Sequence, residues 1–474
     1  MPCKFTHRGP GRSGLETTAD PVLLPPIAPV PKWLVAAGVL LARNAAVRAM
    51  GHRYGGAFAV KVPVVGTLVV VSDPQLIKDI NATRSDLMMR PSTLGSALGP
   101  GSTFSLHGAP HRQRRKLLMP AINGRRVSGY ESIVEEEVLR KTAHWPEGRE
   151  FPTLESMRRI TLNIILRAVF GADGDELEEL RALLPPMVVR TSIMAALPPR
   201  LRRDVGPWSP GGQYGRYRRR YDEVIESLIA KSRQDPHSAD RRDVLSLLVA
   251  ARYTDGQPIS NSHIADELLT LLAAGHETTA TSLAWAVERL RRHPELLERL
   301  VAEVDTGGSE LLQATVWEVQ RTRPVIEGIE RFTLKRVRLG PYVIPENTLI
   351  AVSMVLAHNS EQNYPDAERF EPDRFVGNPP DGSLWIPYGG GINRCVGAAF
   401  ANMEMVVTLR TLLRHFTFAP TDAKSERNSM RSVTTSPSRG GRAVVYRRAV
   451  RSTRPDTAVT EPTSMPSESE QVGA

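Results

Sequence analysis

Tyr388-Gly389-Gly390-Gly391-Ile392-Asn393-Arg394-Cys395-Val396-Gly397 is the stretch whose reading decides the fold. Three consecutive glycines leave the backbone free to approach something large and flat. The cysteine that follows stands at the start of a helical pattern over 396–414. Free amides and the macrodipole at such a start favour a thiolate. A thiolate among glycines suits the proximal side of a haem iron, where cysteinate pushes electron density toward O–O cleavage. The same residues also suit a buried structural cysteine in a glycine-rich turn, and alone they do not choose between the two.

Working outward, the chain holds only one other cysteine, Cys3, among 474 residues. That excludes a disulfide scaffold and a four-thiolate metal site. The 61 basic and 51 acidic residues give +10, which invites a nucleic-acid or membrane-surface reading. However, 52 of the basic residues are Arg and 9 are Lys, spread along the whole chain, which points to genome base composition rather than a binding patch. Hydrophobic residues at 41% and charged residues at 24% describe a chain that folds. The first 20 residues carry no apolar signal core, and the longest apolar run, Trp33 to Ala42, is too short to span a bilayer. A soluble, cytoplasmic protein without a transmembrane anchor is expected.

Residues 1–31 read as an extended arm, 32–448 as the folded domain and 449–474 as a disordered tail. Strand-like runs at 57–62 and 67–71 form a hairpin, and Asp73-Pro74 opens a helix. Helical periodicity follows over 109–119, 128–144, 153–170, 174–190, 213–233, 241–252, 260–291, 294–304 and 309–322. Short apolar runs at 332–338, 342–344 and 348–351 precede a coil over 358–390, a helix over 396–414 and a hairpin near 416–446. The fold class is mostly α with small β-sheets, without the alternation of a doubly wound sheet. Gly389-Gly390-Gly391 follows no strand–helix unit and is not a phosphate loop.

The cysteine stretch resembles the haem-binding signature of the cytochrome P-450 superfamily, Phe-x-x-Gly-x-Arg/His-x-Cys-x-Gly, through Gly391, Cys395 and Gly397, with Tyr388 in the aromatic slot. One position departs: Asn393 stands where the family has the Arg or His that contacts a haem propionate, and Arg394 is next to it. Four further motifs occur in the family's order. His111 and Arg115 resemble its Trp/His-x-x-x-Arg pair on the propionates, although the same pattern suits a basic surface helix. Ala274-Gly275-His276-Glu277-Thr278-Thr279 resembles the oxygen-binding motif of its central helix, although small residues also suit a helix–helix contact. Glu318 and Arg321 resemble its Glu-x-x-Arg pair, and Phe370-Glu371-Pro372-Asp373-Arg374-Phe375 the segment whose arginine completes a Glu-Arg-Arg network. Arg331 resembles its strand arginine on a propionate. The resemblance runs from about Lys32 to Arg448.

It implies a single-domain cytochrome P-450 fold around haem b (iron protoporphyrin IX). Cys395 would ligate iron, and His111, Arg115, Ala274, Arg331, Tyr388, Gly389, Arg394 and Gly397 would hold the cofactor. Glu318, Arg321 and Arg374 would form a structural network. Thr278 would donate a hydrogen bond to oxygen at the iron, Glu277 would feed protons inward, His276 would be a bystander, and a local bulge in the helix would fit there. The implied reaction inserts one atom of O2 into a substrate, as a monooxygenase does. No flavin or iron–sulfur motif is present, so electrons would come from a separate ferredoxin/ferredoxin reductase-type donor, steered by Arg112, Arg114, Lys116 and Arg394. Substrate lining is inferred from position: Leu94 to Phe104, Met187 to Leu197, Leu271, Ala274, Gly275, Val325, Ile326, Ile329 and Thr434. These suit a hydrophobic small molecule: a sterol, fatty acid, terpene or xenobiotic. The stretch Pro198 to Tyr221, with Trp208, three tyrosines and many arginines, reads as a cover touching membrane or anionic substrate, or as an ordinary loop and helix. Other readings are a peroxide-driven or isomerase-type haem-thiolate enzyme, a non-catalytic haem carrier or sensor favoured by Asn393, and a nucleic-acid-binding protein, which leaves every motif unexplained.

Overall fold

The structure, a computed structural model, describes residues 14–449 apart from 64, 92, 123, 172–173, 238–240, 242 and 432. Cys3, the first part of the arm and the tail beyond residue 449 lie outside the described residues. Where apolar residues recur every three or four positions, the chain is helical. In chain order the helices are α1 (Lys32–Tyr54), α2 (Pro74–Asn81), α3 (Thr93–Leu98), α4 (Gly108–Ile122), α5 (Glu131–Thr142), α6 (Leu154–Phe170) and α7 (Asp175–Ala196). Then come α8 (Pro210–Gln234), α9 (Val244–Ala250), α10 (Asn261–Leu290), α11 (Pro294–Asp305), α12 (Glu310–Thr322), α13 (Met354–His358) and α14 (Ala398–His415). Side-chain caps fix several starts. Asp73 accepts from the Leu76 N–H at 3.0 Å with Pro74 in the first position of α2, and Ser209, Asp243 and Ser260 cap α8, α9 and α10. Helix α1 covers a stretch read only as an apolar run, and α7 runs through Pro185 and Pro186 and continues past the expected 190 to Ala196. The short α3 and α13 carry too few residues to show a period.

The strands are β1 (Glu16–Thr17), β2 (Ala57–Val62), β3 (Gly66–Val71), β4 (Met88–Met89), β5 (Phe151–Pro152), β6 (Gly328–Thr333), β7 (Val337–Leu339) and β8 (Tyr342–Ile344). They continue with β9 (Leu349–Ser353), β10 (Phe416–Phe418), β11 (Asn428–Arg431), β12 (Thr434–Pro437), β13 (Arg442–Ala443) and β14 (Val445–Arg447). The main sheet has the order β2-β3-β9-β6-β4, parallel only between β3 and β9. The apolar run expected over 332–338 is divided, because β6 ends at Thr333 and β7 starts at Val337. The described part of the arm is extended and docked: β1 pairs with β7, the Ala28 N–H donates to the Ala59 carbonyl at 2.8 Å, and Leu15 and Ala28 are buried.

Helix α10 is the axis of the largest apolar core, with Trp285 fully buried and its Nε1 donating to the Thr435 carbonyl at 3.0 Å. At about 1.5 Å per residue it is about 45 Å long. Two of its acids pin the irregular segment before α4. Asp266 accepts from the Gly101 N–H at 2.7 Å, and Glu267 accepts from the Thr103 N–H at 2.9 Å, the Thr103 hydroxyl at 2.6 Å and Arg114 at 3.0 Å. Gly99 has φ +112°, and a Cβ there would meet the Asp266 carboxylate at 2.1 Å, so only glycine serves. No described helix is long and apolar enough to cross a membrane.

A second ionic anchor holds the coil that leads to the cysteine. Glu318 and Arg321, both fully buried, form two bonds of 2.7 and 2.8 Å, and Arg374 Nε lies 3.4 Å from the same carboxylate. Arg321 also donates to the carbonyls of His358, Ala367 and Arg369 at 2.6, 2.8 and 3.0 Å. Glu318 accepts from the Glu371 N–H at 2.8 Å. Replacing Glu318 by Gln leaves the arginine buried without its counter-charge. We expect Glu318→Gln to lose about 3–5 kcal/mol in chemical denaturation. A midpoint equal to wild type would contradict the anchoring role.

Candidate functional site

The cysteine loop is built by its turn and its neighbours. Gly389 and Gly391 adopt φ of +68° and +62°. The Cys395 N–H donates to the Tyr388 carbonyl at 2.9 Å, and the Gly397 N–H, at the cap of α14, points at the Cys395 sulfur. The glycines answer to the protein rather than to a flat ligand. A Cβ on Gly390 or Gly391 would strike Asn81 of α2 at 2.1 or 2.0 Å, and one on Gly389 would meet Ile329 at 3.1 Å. The Tyr388 hydroxyl accepts from Gln320 at 2.7 Å and donates to Asn402 at 2.9 Å, joining the loop to α12 and α14. The Cys395 side chain is accessible although protein surrounds it closely, so its open face looks onto the interior. Burial pushes its thiol up, outweighing the pull of the Gly397 N–H, Arg115 and Arg394. Desolvation outweighs the amides at the helix start, and a thiolate here requires a cation against the sulfur.

Helix α10 offers a second open interior surface. Ala274 is exposed in mid-helix, and Leu271 and Thr278 on its face are part-buried, whereas most of α10 from Thr279 onward is buried. The expected bulge is not present: α10 runs as regular helix through this point, with the Thr278 and Thr279 hydroxyls donating to the carbonyls of Ala274 and Gly275 at 2.8 and 3.1 Å. Gly275 does not open onto that face. A Cβ there would lie 3.3 Å from Ile165 of α6, so the glycine serves helix–helix packing. Glu277 also turns to α6, where Arg158 donates to its two oxygens at 2.8 and 2.7 Å. His276 is buried, with Nδ1 2.8 Å from the Leu272 carbonyl.

Cations form the third part. His111 is buried, and burial with the charges of Arg90 and Arg115 holds it down at about 4, so the ring is neutral at pH 7. Arg90 and Arg331 are each pulled down to about 10, by burial first and then by a neighbouring arginine, Arg115 for Arg90 and Arg90 for Arg331. Burial pulls Arg115 down as well. Each spends one N–H on a backbone carbonyl: Arg90 on Thr103 at 2.6 Å, Arg115 on Arg394 at 2.7 Å and Arg331 on Glu330 at 2.7 Å. None of the three forms an ion pair among the described residues. Arg90 was not singled out in the sequence, because it belongs to no spaced motif; its only signal is its place between β4 and the apolar segment 94–104. The Arg394 side chain is exposed and lines a cleft of about 620 Å³ with Lys78 and Gly389 to Gly391, while its charge still acts on Arg115 and on the Cys395 thiol. Asn393 shares a small recess with Arg331. Arg114, expected at a docking face, is fully buried on Glu267 and cannot serve there, whereas Arg112 and Lys116 are exposed.

Among the expected substrate-lining residues, the Thr435 N–H donates to the Val325 carbonyl at 2.8 Å, which brings Val325 beside β12 and its buried Thr434. Ile326 is part-buried, and Ile329 packs on Gly389.

These features fit haem. Mutually repelling guanidiniums with no carboxylate between them call for a dianionic ligand, which two propionates supply. An accessible lone sulfur is of the chemistry that could supply the thiolate ligand of a haem iron. The small face of α10 leaves space on a second side.

Comparisons agree with this geometry. The sequence profile described as Cytochrome P450 matches residues 25–441. The chain is 48% identical over 437 residues to "Putative cytochrome P450 138" of Mycobacterium tuberculosis (strain ATCC 25618 / H37Rv), covering 91% of this chain and 98% of the relative. It is 35% identical to "Putative cytochrome P450 135B1" of the same strain, covering 87% and 88%. Among solved structures, "Retinoic acid bound cyanobacterial CYP120A1" superposes with a TM-score of 0.77 at 22% identity, over 90% of this chain and 100% of that one. "Crystal structure of cytochrome P450DA heme domain" gives 0.78 at 21% identity, over 90% and 98%. With its fold, its cysteine loop and its full-length relatives in agreement, the chain belongs to the cytochrome P450 family of haem-thiolate oxidoreductases.

Proposed function

We propose that the protein inserts one oxygen atom from O2 into a hydrophobic small-molecule substrate, with electrons from a separate ferredoxin-type donor. The observation that carries this reading is the conjunction of the open face of Cys395 with the anion-free cluster of Arg90, Arg115 and Arg331. Haem, when bound, supplies the reductive activation of O2 that no amino-acid side chain can perform. The chain's own residues do the rest. Cys395 Sγ is the iron ligand, and Arg90, Arg115, Arg331 and neutral His111 hold the carboxylates. Arg90 and Arg331 provide the cations that Asn393 cannot, which weakens the reading as a haem carrier with a failed site. Leu271, Ala274 and Val325 exclude water and favour an apolar substrate. The Thr278 hydroxyl, parked on the Ala274 carbonyl, can turn its proton toward a polar group beside Ala274. Glu277 can pass protons only after leaving Arg158. On the outer side, Lys78 and Arg394 at the cleft and exposed Arg112 and Lys116 suit an acidic electron donor, with association that weakens as salt rises.

The double grip of Arg158 on Glu277 also favours a second reading, oxidation driven by peroxide, which needs no proton delivery from that carboxylate.

The two readings separate by isotope. With NADPH, a surrogate ferredoxin pair and labelled O2, label should enter product across a panel of apolar substrates. Product formed with peroxide but never from O2 would select the second reading. The reduced protein with carbon monoxide should show the far-red-shifted Soret band of thiolate ligation, and Cys395→Ala should lose it; an unshifted band in the wild type would end both readings.

Thr278→Ala should turn over substrate with reducing equivalents diverted to peroxide, raising the peroxide-to-product ratio about tenfold or more. Unchanged coupling would remove the hydroxyl from the proposed role. Arg90→Leu should keep the thiolate spectrum but release haem to an acceptor protein roughly tenfold faster, the size of one charge-assisted bond. An unaltered rate would place Arg90 outside the propionate grip.

A further inference from the structure

The loop that carries Cys395 has little of its own to hold it. Gly389, Gly390 and Gly391 bring no side chain, and fixing glycines costs more backbone freedom than fixing other residues. Among the described residues, no side chain from Gly389 to Arg394 forms a hydrogen bond. Tyr388, at the upstream end, is held firmly. Its hydroxyl accepts from Gln320 Nε2 at 2.7 Å and donates to Asn402 Oδ1 at 2.9 Å. Its ring stands edge-on to Trp385 with centroids 5.8 Å apart, and Trp385 Nε1 donates to the Trp317 carbonyl at 3.0 Å.

The tyrosine is also the residue to which the cysteine is tied. The Cys395 N–H donates to the Tyr388 carbonyl at 2.9 Å and closes the loop, so a displacement of Tyr388 is a displacement of Cys395. The two partners of the hydroxyl stand on fixed elements. Gln320 is buried on α12 beside Arg321, and Asn402 lies on α14, which starts just past the cysteine. Gln320 Nε2 also lies 3.3 Å from Asn402 Oδ1, so the three side chains form one mutually bonded group. The ionic anchor of Glu318 and Arg321 does not duplicate this hold, since through His358 it reaches only as far as Ile386. A phenylalanine at 388 would keep the ring against Trp385 and lose both bonds. Apolar contact fills the space but leaves the ring free to slide, whereas two hydrogen bonds fix direction as well as distance.

We propose that the Tyr388 hydroxyl, held between Gln320 and Asn402, is a latch that keeps the Cys395 sulfur where it ligates iron, a role that rests on the reading of Cys395 as that ligand. Tyr388, Gln320 and Asn402 are positioning residues, because they act on the sulfur only through the loop. With the latch open, the three glycines let the loop take other conformations while α12, α14 and the rest of the fold stay in place. The bond between iron and sulfur then breaks, the sulfur takes a proton from water, and thiolate ligation is lost without unfolding.

The test uses the full-length, haem-loaded protein, reduced and bound to carbon monoxide. It follows the conversion of the far-red-shifted Soret band to the unshifted one, at a denaturant concentration below the unfolding transition, with helix content read by circular dichroism. Tyr388→Phe should convert about tenfold faster than wild type at unchanged helix content, the size of one or two buried hydrogen bonds. Gln320→Leu should behave alike. The double variant should convert no faster than the faster of the two, because both substitutions open the same latch. A shifted band in wild type with equal conversion in Tyr388→Phe would overturn the latch alone. Additive effects in the double variant would do the same, since they place Gln320 and Tyr388 in separate roles. Helix content lost in step with the band would make the tyrosine a contributor to general stability and end its positioning role. An unshifted band in wild type would remove the iron-ligand reading and the latch with it.

Discussion

The fold around Cys395 depends on one buried guanidinium. The coil from about 359 to 387 has almost no periodic apolar pattern, and its backbone forms few ladder bonds, so its carbonyls need donors from elsewhere. Arg321 supplies three of them, to His358, Ala367 and Arg369, while Glu318 neutralises its charge and accepts from the backbone of Glu371. A lysine could not do this, because a planar fork with five N–H groups is needed to serve a carboxylate and three carbonyls at once. His358 continues the chain of support, its Nε2 accepting from the Ile386 N–H at 3.0 Å, only a few residues before the cysteine turn. The position of the sulfur is thus set by a polar network placed between α12 and the coil, with the aromatic cluster of Tyr364, Phe375 and Trp385 filling the space around it.

A parallel device works on the other side of α10. Asp266 and Glu267 hold Gly101, Thr103 and Arg114, and so fix the segment whose Thr103 carbonyl receives Arg90 and which leads into α4 with His111 and Arg115. The buried acids of α10 and α12 are structural, which leaves the interior guanidiniums of Arg90, Arg115 and Arg331 free of acidic partners. The cations are available to a ligand because the nearby anions are already engaged.

Much of this was legible in the sequence, and for definite reasons. The long helices show their period, and their starts are marked by Asp73, Ser209, Asp243 and Ser260. Cys395, Glu318, Arg321 and Arg374 were readable because each sits in a spaced motif. What the sequence could not separate was a residue's type from its direction. Gly275 and the glycines at 390 and 391 are needed for contacts with Ile165 and Asn81, not for space beside a ligand. Arg114 and Arg115 are adjacent, yet one is fully buried on Glu267 and the other reaches the cysteine loop. Arg90 gave no motif because its partners come together only in three dimensions. The thiol of Cys395 shows a similar limit: helix-start amides are visible in sequence, but the desolvation that outweighs them is a property of the packed interior.

The arginine surplus gains a physical meaning from the same view. Compositional bias explains why arginine is abundant, but not where the guanidiniums go. Arg241 donates to the Phe170 carbonyl at 2.5 Å, Arg291 to those of Ala419 and Arg442 at 2.7 and 2.6 Å, and Arg292 to that of Lys424 at 2.8 Å. These arginines close helix ends and loops onto one another, and their charges are met within the protein by Asp243, Glu150 and Glu288. Net charge is therefore a poor guide to binding surfaces in this chain. The informative arginines are Arg90, Arg115 and Arg331, which form no ion pair among the described residues and are drawn together with their charges uncompensated, each giving one N–H to a carbonyl.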